Sequence, residues 1–366
     1  MRPSLHDHQR LVIIPSISTS TKTRSLPSVH KATDVRLGRI VRLLMSHATV
    51  VVSGTKIAEE MGTSRSEVWR LIQQLRALGV DVAGHPATGY QLRVVPDLLL
   101  PEMLAPSLKG MIFGGAPGSA KQIHHYYKIA STNSEAMRCA AEGAPEGSVF
   151  LAEEQLAGRG RGAHSWHSAR SAGIYCSVIL RPAMPPSDAL IFSLAVGLAV
   201  RAAVMEIAPQ LLVDLKWPND LLLGGKKFCG ILTEMNAEAT RVRQLVVGVG
   251  INVNQAKFPA ELREIATSLK IATGTEWSRV ELCAALLKSL DREYRSFVGE
   301  AGAREAILRR FEESSSSVRG SRVSIEENGG LAGVTEGLDE RGFLRVRTAE
   351  GLRTVVSGTV RVIGNL

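Results

Sequence analysis

The feature that most constrains this chain is the apolar stretch at residues 189–205, interrupted only by Ser193, Gly197 and Arg201. It falls short of the roughly 18 residues a membrane-spanning helix needs. A helix that is apolar on every side is covered on every side, so the stretch is read as a helix buried inside a folded core. The rest of the composition agrees: 45% of the residues are hydrophobic and 22% charged, as in a globular protein with a sizeable interior. A length of 366 residues exceeds one average domain and implies two or three. Cys139, Cys176, Cys229 and Cys283 form no C-x-x-C pair and each lies in an apolar run, so they are expected as core thiols in a reducing cytoplasm, with no zinc site. No signal-peptide core precedes them.

The formal charge of +9 is unevenly placed. Residues 1–97 hold 13 Lys and Arg against 7 Asp and Glu, and residues 98–366 hold 31 against 28. The front quarter is therefore the basic part, which suits a phosphate-facing surface, although residues 1–31 supply five of those positive charges. Residues 1–33, rich in Ser, Thr, Pro and His, are expected to be a disordered tail.

Residues 34–97 carry the pattern of a winged helix-turn-helix. Val35, Leu37, Ile40, Val41, Leu43 and Leu44 recur at helical spacing. A short helix at residues 55–61 ends on Gly62, and Ser64 with Glu67 makes a capping box for a second helix over residues 65–78. Ala58 permits a close crossing of the two, and Ile57, Met61, Val68 and Leu71 join them. The outward residues Arg65, Ser66, Trp69, Arg70 and Gln73 are candidates for phosphate and base contacts. Residues 80–92 read as the hairpin wing. Pro96, Pro101 and Pro106 bracket a Leu-rich linker. Beyond it, strands and helices alternate: strands at 123–129, 148–153, 174–180, 212–216, 228–235 and 245–252, helices at 131–141, 188–207, 278–297 and 302–313. Thr132 with Glu135 is the capping box expected for the first of these helices. After a linker at 314–317, five short strands with glycine turns fill residues 318–366.

Four segments carry chemistry. In Gln155-Leu156-Ala157-Gly158-Arg159-Gly160-Arg161-Gly162, alternate glycines let the backbone wrap a ligand closely, and two arginines supply planar charge for a carboxylate or phosphate. Gly158, Gly160 and Ala163 match a dinucleotide fingerprint by chance: no helix follows and the acidic residue expected about 20 positions on is missing. Lys216-Trp217-Pro218-Asn219-Asp220 places a cation, an amide and a carboxylate at a strand end, with Lys227 and Gly230 following. Gly248-Val249-Gly250-Ile251-Asn252-Val253-Asn254 is a strand that breaks into Gly and Asn. Ser131-Thr132-Asn133 opens a helix. Taken singly, an ordinary hairpin would explain the second, and a plain N-cap the fourth.

In this order the four segments resemble the biotin protein ligase family, including members that double as biotin-operon repressors, over residues 34–366. The resemblance implies an α+β protein. It would comprise a winged helix at 34–97, a central mixed-sheet ligase domain at 98–315 similar to class II synthetase folds, and a small SH3-like barrel at 316–366. It implies a reaction in two steps: the biotin carboxylate attacks the α-phosphate of ATP, with Mg²⁺, releasing pyrophosphate, and biotin then passes to a lysine of biotin carboxyl carrier protein. By position, Ser131, Thr132, Asn133, Gln155, Gly158, Arg159, Gly160, Lys227 and Gly230 would bind biotin. Arg161, Trp166, Asn219, Ile251 and Asn252 would bind the nucleotide. Arg161, Lys227, Lys216 and Asp220 would be catalytic, with Asp220 a base, an orienter or a magnesium contact. One departure stands out: after Arg161 the chain continues Gly162-Ala163-His164-Ser165, where many relatives have further basic residues, which predicts a looser hold on the adenylate. Implied partners are the carrier protein, operator DNA and a second copy in a homodimer, with no membrane. The alternatives are a lipoate–protein ligase and a biotin sensor without catalysis; retention of Arg159, Arg161, Asp220 and Lys227 speaks against the sensor.

Overall fold

The computed structural model describes residues 29–47, 50–113, 122–162, 164–326 and 330–365. The expected tail is thereby divided. Residues 1–28 lie outside the described residues, as does Ala163, whereas residues 29–33 are the opening of a helix and not a tail.

The N-terminal unit runs α1 (Val29–Ser46), α2 (Gly54–Met61), α3 (Arg65–Ala77), then the hairpin β1 (Val82–His85) and β2 (Gly89–Leu92). Gly62 closes α2 in the left-handed conformation that the sharp turn to α3 requires. Ser64 caps α3, accepting from the Glu67 N–H at 3.2 Å. The reciprocal half of the expected capping box is replaced: the Glu67 carboxylate turns to Arg70 and Arg36. Ile40, Val41, Ile57, Val68, Leu71, Ile72 and Leu75 make one core, each essentially inaccessible.

The linker is a structured clamp. Within Leu98-Leu99-Leu100, the outer two leucines belong to the winged-helix core and Leu99 to the core behind it. A short helix α4 (Pro101–Leu104) follows. The central unit comprises β3 (Ile123–Tyr126), α5 (Thr132–Ala141), β4 (Val149–Ala152), β5 (Gly173–Leu180), α6 (Ala189–Ile207), β6 (Asp214–Lys216), β7 (Asp220–Leu223), β8 (Lys226–Ala237), β9 (Val242–Asn252), α7 (Leu269–Thr273), α8 (Arg279–Gly299) and α9 (Ala303–Glu313). Its seven strands run in the order β3-β4-β5-β9-β8-β7-β6, parallel between β3 and β4 and antiparallel elsewhere. The sheet is mixed, as expected; β7 is an additional strand, because Asp220 begins a hairpin arm where a loop was expected. The N-cap of α5 is Ser131, bonded to the Ser134 N–H, and Glu135 pairs with Arg138 instead of closing a box with Thr132.

Alternation along β5 shows how the sheet is filled. Ile174, Cys176, Val178 and Leu180 join the core beneath α6 and α8, whereas Tyr175 and Ile179 join the smaller cluster beneath α5. α6 is the one helix, among the described residues, long and apolar enough to cross a membrane; 67% of an 18-residue apolar stretch within Pro186–Ile207 is buried inside the fold, and it packs chiefly on α8 and α9. The last unit is a five-stranded antiparallel sheet, β10 (Arg319–Ile325), β11 (Leu331–Leu338), β12 (Leu344–Thr348), β13 (Gly351–Val355) and β14 (Val360–Asn365), in the order β13-β12-β11-β10-β14. Its inward residues Val323, Ile325, Leu344, Val346 and Val360 continue the main core.

Candidate active site

The sheet register collects the chemically distinctive segments into one line. Lys216 pairs with Asp220, Asp220 with Gly230, Gly230 with Gly250, and Gly250 with Tyr175. Residues up to 75 positions apart in sequence thus lie side by side across five strands. The next line, Leu232, Gly248 and Ser177, is parallel to it. A cavity of about 370 Å³ opens over these two lines, within the range of small-ligand sites.

The glycines in the first line are a shelf. The Trp166 indole lies flat on Gly230 and Gly250: a Cβ at Gly250 would stand 2.6 Å from Trp166 Cε2 and Nε1, and one at Gly230 would stand 2.8 Å from its Cζ3. The Trp166 Nε1 proton is buried without an acceptor. Lys227 Nζ stands 5.4 Å from the centre of the same ring and 2.6 Å from Asp220 Oδ1, an ion pair.

Trp166 ends a tight loop. Its N–H donates to Gly158 O and the Gly160 N–H to His164 O, both at 2.8 Å, so 158–160 and 164–166 run as paired arms beside the cavity. At its base, Gln155 Oε1 accepts from the N–H and hydroxyl of Thr132 at 2.9 and 3.1 Å, and Gln155 Nε2 donates to Ser168 at 2.9 Å. Ser177 donates to Asn133 Oδ1 at 2.6 Å and lies 2.8 Å from the Thr132 hydroxyl. Asn133 Nδ2 donates to Glu234 at 3.0 Å. Ser131, Thr132 and Asn133 are all nearly inaccessible, which is more than a cap requires. Arg161 and Lys216 also line the cavity and stand in no ion pair among the described residues.

Most of the predicted residues therefore meet at one place: Ser131, Thr132, Asn133, Gln155, Arg159, Gly160, Arg161, Trp166, Lys216, Asn219, Asp220, Lys227 and Gly230 all border the cavity. Two do not. Asn252 is buried, its Nδ2 donating to Thr267 O at 3.1 Å and its Oδ1 accepting from Gln255 at 3.1 Å, and Ile251 points into the main core. Ile251 takes the opposite face of β9 from the shelf, whereas Asn252 shares the face of Gly250 but stands one row beyond it, opposite Gly173. Gly158 serves as a hairpin acceptor beneath Trp166. Asn219 is partly structural, its amide donating to Ile231 O at 2.8 Å. Trp217 also lines the cavity, and its buried indole donates to Gly342 O at 2.9 Å, tying the last sheet to the central unit.

Sequence reasoning missed four contributors. Glu234 had a signal, since it follows Gly230 and Leu232 at the strand period of two on the same face. Ser168 and Ser177 had none. Residues 357–360, from the last unit, complete one wall of the cavity, and no local pattern announces them.

In the winged helix, Arg65, Ser66, Trp69 and Arg70 are exposed on α3. Arg70 is held by Glu67 at 2.6 and 2.8 Å, which draws its guanidinium back along the helix. Trp69 is 57% exposed.

Comparison with known proteins decides the family. The bifunctional ligase/repressor BirA of Bacillus subtilis is 34% identical over 325 residues, covering 88% of this chain and 97% of its own. The chain belongs to the biotin protein ligase family. Residues 127–252 match the biotin/lipoate A/B protein ligase family, 36–91 a helix-turn-helix domain and 319–362 the biotin protein ligase C-terminal domain. The biotin–[acetyl-CoA-carboxylase] ligase of Mycobacterium tuberculosis is 34% identical over 71% of this chain and 95% of its own. Among solved structures, biotin protein ligase from Aquifex aeolicus in complex with biotin and ATP superposes with a TM-score of 0.58 at 30% identity, covering 66% of this chain and 99% of the other. The ligase match, 127–252, contains every residue that lines the cavity except 357–360.

Proposed function

We propose that this chain is an ATP-dependent biotin–protein ligase and a biotin-responsive repressor. In the first step a biotin carboxylate oxygen attacks the α-phosphorus of ATP, the bond to the β-phosphate breaks, and pyrophosphate leaves. In the second, a carrier lysine attacks the acyl carbon, AMP leaves, and the amine loses a proton. The observation that carries this is the meeting of three cations, Arg161, Lys216 and Lys227, at the rim of a cavity whose floor is a glycine shelf and whose back wall is a hydrogen-bonding ring. Charge spreads over phosphate oxygens during both steps, and fixed cations outside bulk water stabilise it. The ring of Ser131, Thr132, Asn133 and Gln155 suits a small polar head group such as the biotin ureido, and Gly160 allows backbone approach, whereas Gly158 and Gly230 accommodate Trp166. Trp166 would cover the adenine. Arg161 and Asn219 would face the nucleotide, and Asp220, freed from Lys227, would orient the incoming amine.

Mg²⁺ belongs to this scheme as part of the ATP substrate. Asp220 is the one carboxylate lining the cavity among the described residues, and no group of three acidic, His or Cys side chains gathers there or elsewhere among them. A hard cation that keeps most of its waters and binds phosphate oxygens needs no more than one such carboxylate.

We assign residues 34–97 to DNA binding, 98–315 to ligation and 316–366 to a closing SH3-like barrel. The class II synthetase likeness of the centre would rest on its mixed sheet with the cavity over one face. Operator DNA would meet α3, two copies pairing on two half-sites, in the cytoplasm where ATP and the carboxyl carrier protein are found. The test is ATP-dependent transfer of labelled biotin to a carrier domain, with lipoate as competing acid. Transfer of biotin with no competition from lipoate is expected; binding of biotin without transfer would leave only the sensor.

A further inference from the structure

We infer that Glu234 is a positioning residue that holds the Gly-Arg loop shut over the cavity, so that the two loop arginines have different tasks. This rests on the ligase reading above. Glu234 sits on β8, two residues beyond the cavity-lining Leu232, with its side chain 22% exposed. Its Oε1 pairs with Arg159 Nη2 at 2.9 Å, and its Oε2 accepts from Arg159 Nη1 at 3.3 Å and from Asn133 Nδ2 at 3.0 Å. Asn133 is fixed in turn by Ser177, and Thr132 by Gln155, which is the residue from which the loop departs. A circuit of hydrogen bonds therefore leaves the loop at Gln155, passes through α5, β5 and β8, and returns to the loop at Arg159.

A carboxylate beside a site for anionic substrates opposes their binding unless its own charge is satisfied. Here it is satisfied by the fork of Arg159 and by the Asn133 amide, a geometry that a guanidinium favours over an ammonium. Arg159 is thereby committed to Glu234, while Arg161, two residues on, stays available at the cavity rim. Alternation along the loop separates the roles: Arg159 closes the lid and Arg161 meets the phosphate. The second anchor is Trp166 on its glycine shelf. A lid fastened at both ends keeps water from the mixed anhydride, which is the intermediate that hydrolysis would waste.

The experiment compares the full-length chain with Glu234→Gln, which keeps an acceptor for Asn133 and loses the charge that holds Arg159. Limited trypsin digestion, with fragments identified by mass, reads lid opening through cleavage after Arg159 and Arg161. It needs no activity. We expect cleavage there to accelerate about fivefold or more, the factor for loss of one hydrogen-bonded ion pair, with an unchanged melting temperature. In the transfer assay KM for biotin should rise about tenfold with kcat nearly constant, and adenylate should hydrolyse faster when no carrier is present. On an Arg159→Gln background, where cleavage after Arg161 alone is the readout, Glu234→Gln should add nothing further. Unchanged cleavage at those two arginines, or equal effects on both backgrounds, would overturn the assignment. Absence of transfer by the unaltered chain would instead count against the ligase reading, leaving the cleavage result to decide the lid.

Discussion

Replacing Arg279 by Met should cost about 3–5 kcal/mol of stability, the range for breaking a buried ion pair by removing one partner. The Arg279 side chain is 1% exposed and its partner Glu153 is 0% exposed. Arg279 Nη1 donates to Glu153 Oε2 at 2.7 Å and to Gly173 O at 3.2 Å, Nε donates to Asp97 Oδ2 at 3.1 Å, and Nη2 donates to Asp97 O. Burial alone would push the Glu153 carboxyl up. The Arg279 charge, the His125 ring and the Leu99 N–H more than reverse this and hold it at about 2 against an ordinary 4.5. That depression, at about 1.4 kcal/mol per unit, corresponds to about 3 kcal/mol of stability at neutral pH. It is fully present above the ordinary value and is lost as pH falls through the folded one. Methionine fills similar volume, so the loss is chiefly the orphaned carboxylate, with two carbonyls left short of donors. Without Arg279 the same carboxylate is pushed up by burial and is relieved by taking a proton. The gap between the two proteins, measured by urea denaturation with tryptophan fluorescence, should therefore narrow from pH 7 to pH 5. A gap below about 1 kcal/mol, or one that widens on acidification, would refute the reasoning.

Three further outcomes are expected. Lys227→Ala should lower biotin-dependent pyrophosphate release by a factor of 100 or more with an unchanged circular dichroism spectrum, since it removes a cavity cation and leaves Asp220 unpaired. Gly250→Ala should lift the Trp166 indole from its shelf, shifting the emission of that tryptophan and weakening biotin binding at least about tenfold, as read by fluorescence titration. Arg70→Ala should weaken operator binding in a gel shift and leave transfer intact; because Glu67 already draws Arg70 back, Arg65→Ala should weaken it more.

The winged helix was legible because its signals are local: helical spacing, Ala58 at the crossing, Gly62 at the turn and Ser64 at the cap. The buried helix and the alternation of strands were legible for the same reason. The cavity residues were legible as types, since Gly-Arg alternation and a Lys-Trp-Pro-Asn-Asp turn are unusual for surface loops. Placement along a face was not legible. Asn252 shares the face of Gly250 but lies one row beyond it, where its amide meets Thr267 rather than the cavity. Asp97, Glu153 and Arg279 come from three separate elements, and nothing near any of them in sequence predicts that they meet. Glu67 and Glu135 have the spacing of capping boxes, yet a neighbouring arginine offers each carboxylate a stronger partner than a backbone N–H.

The wall formed by residues 357–360 has a consequence for biosynthesis. A chain emerging N-terminus first can fold its winged helix, and then most of its seven-stranded sheet, long before those residues leave the ribosome. The binding ring and the glycine shelf would exist at that stage, but the chamber would stand open on one side. An adenylate formed at that stage would face solvent through the missing wall. Synthesis of the final strands is what closes the chamber, so shelter for the intermediate arrives last.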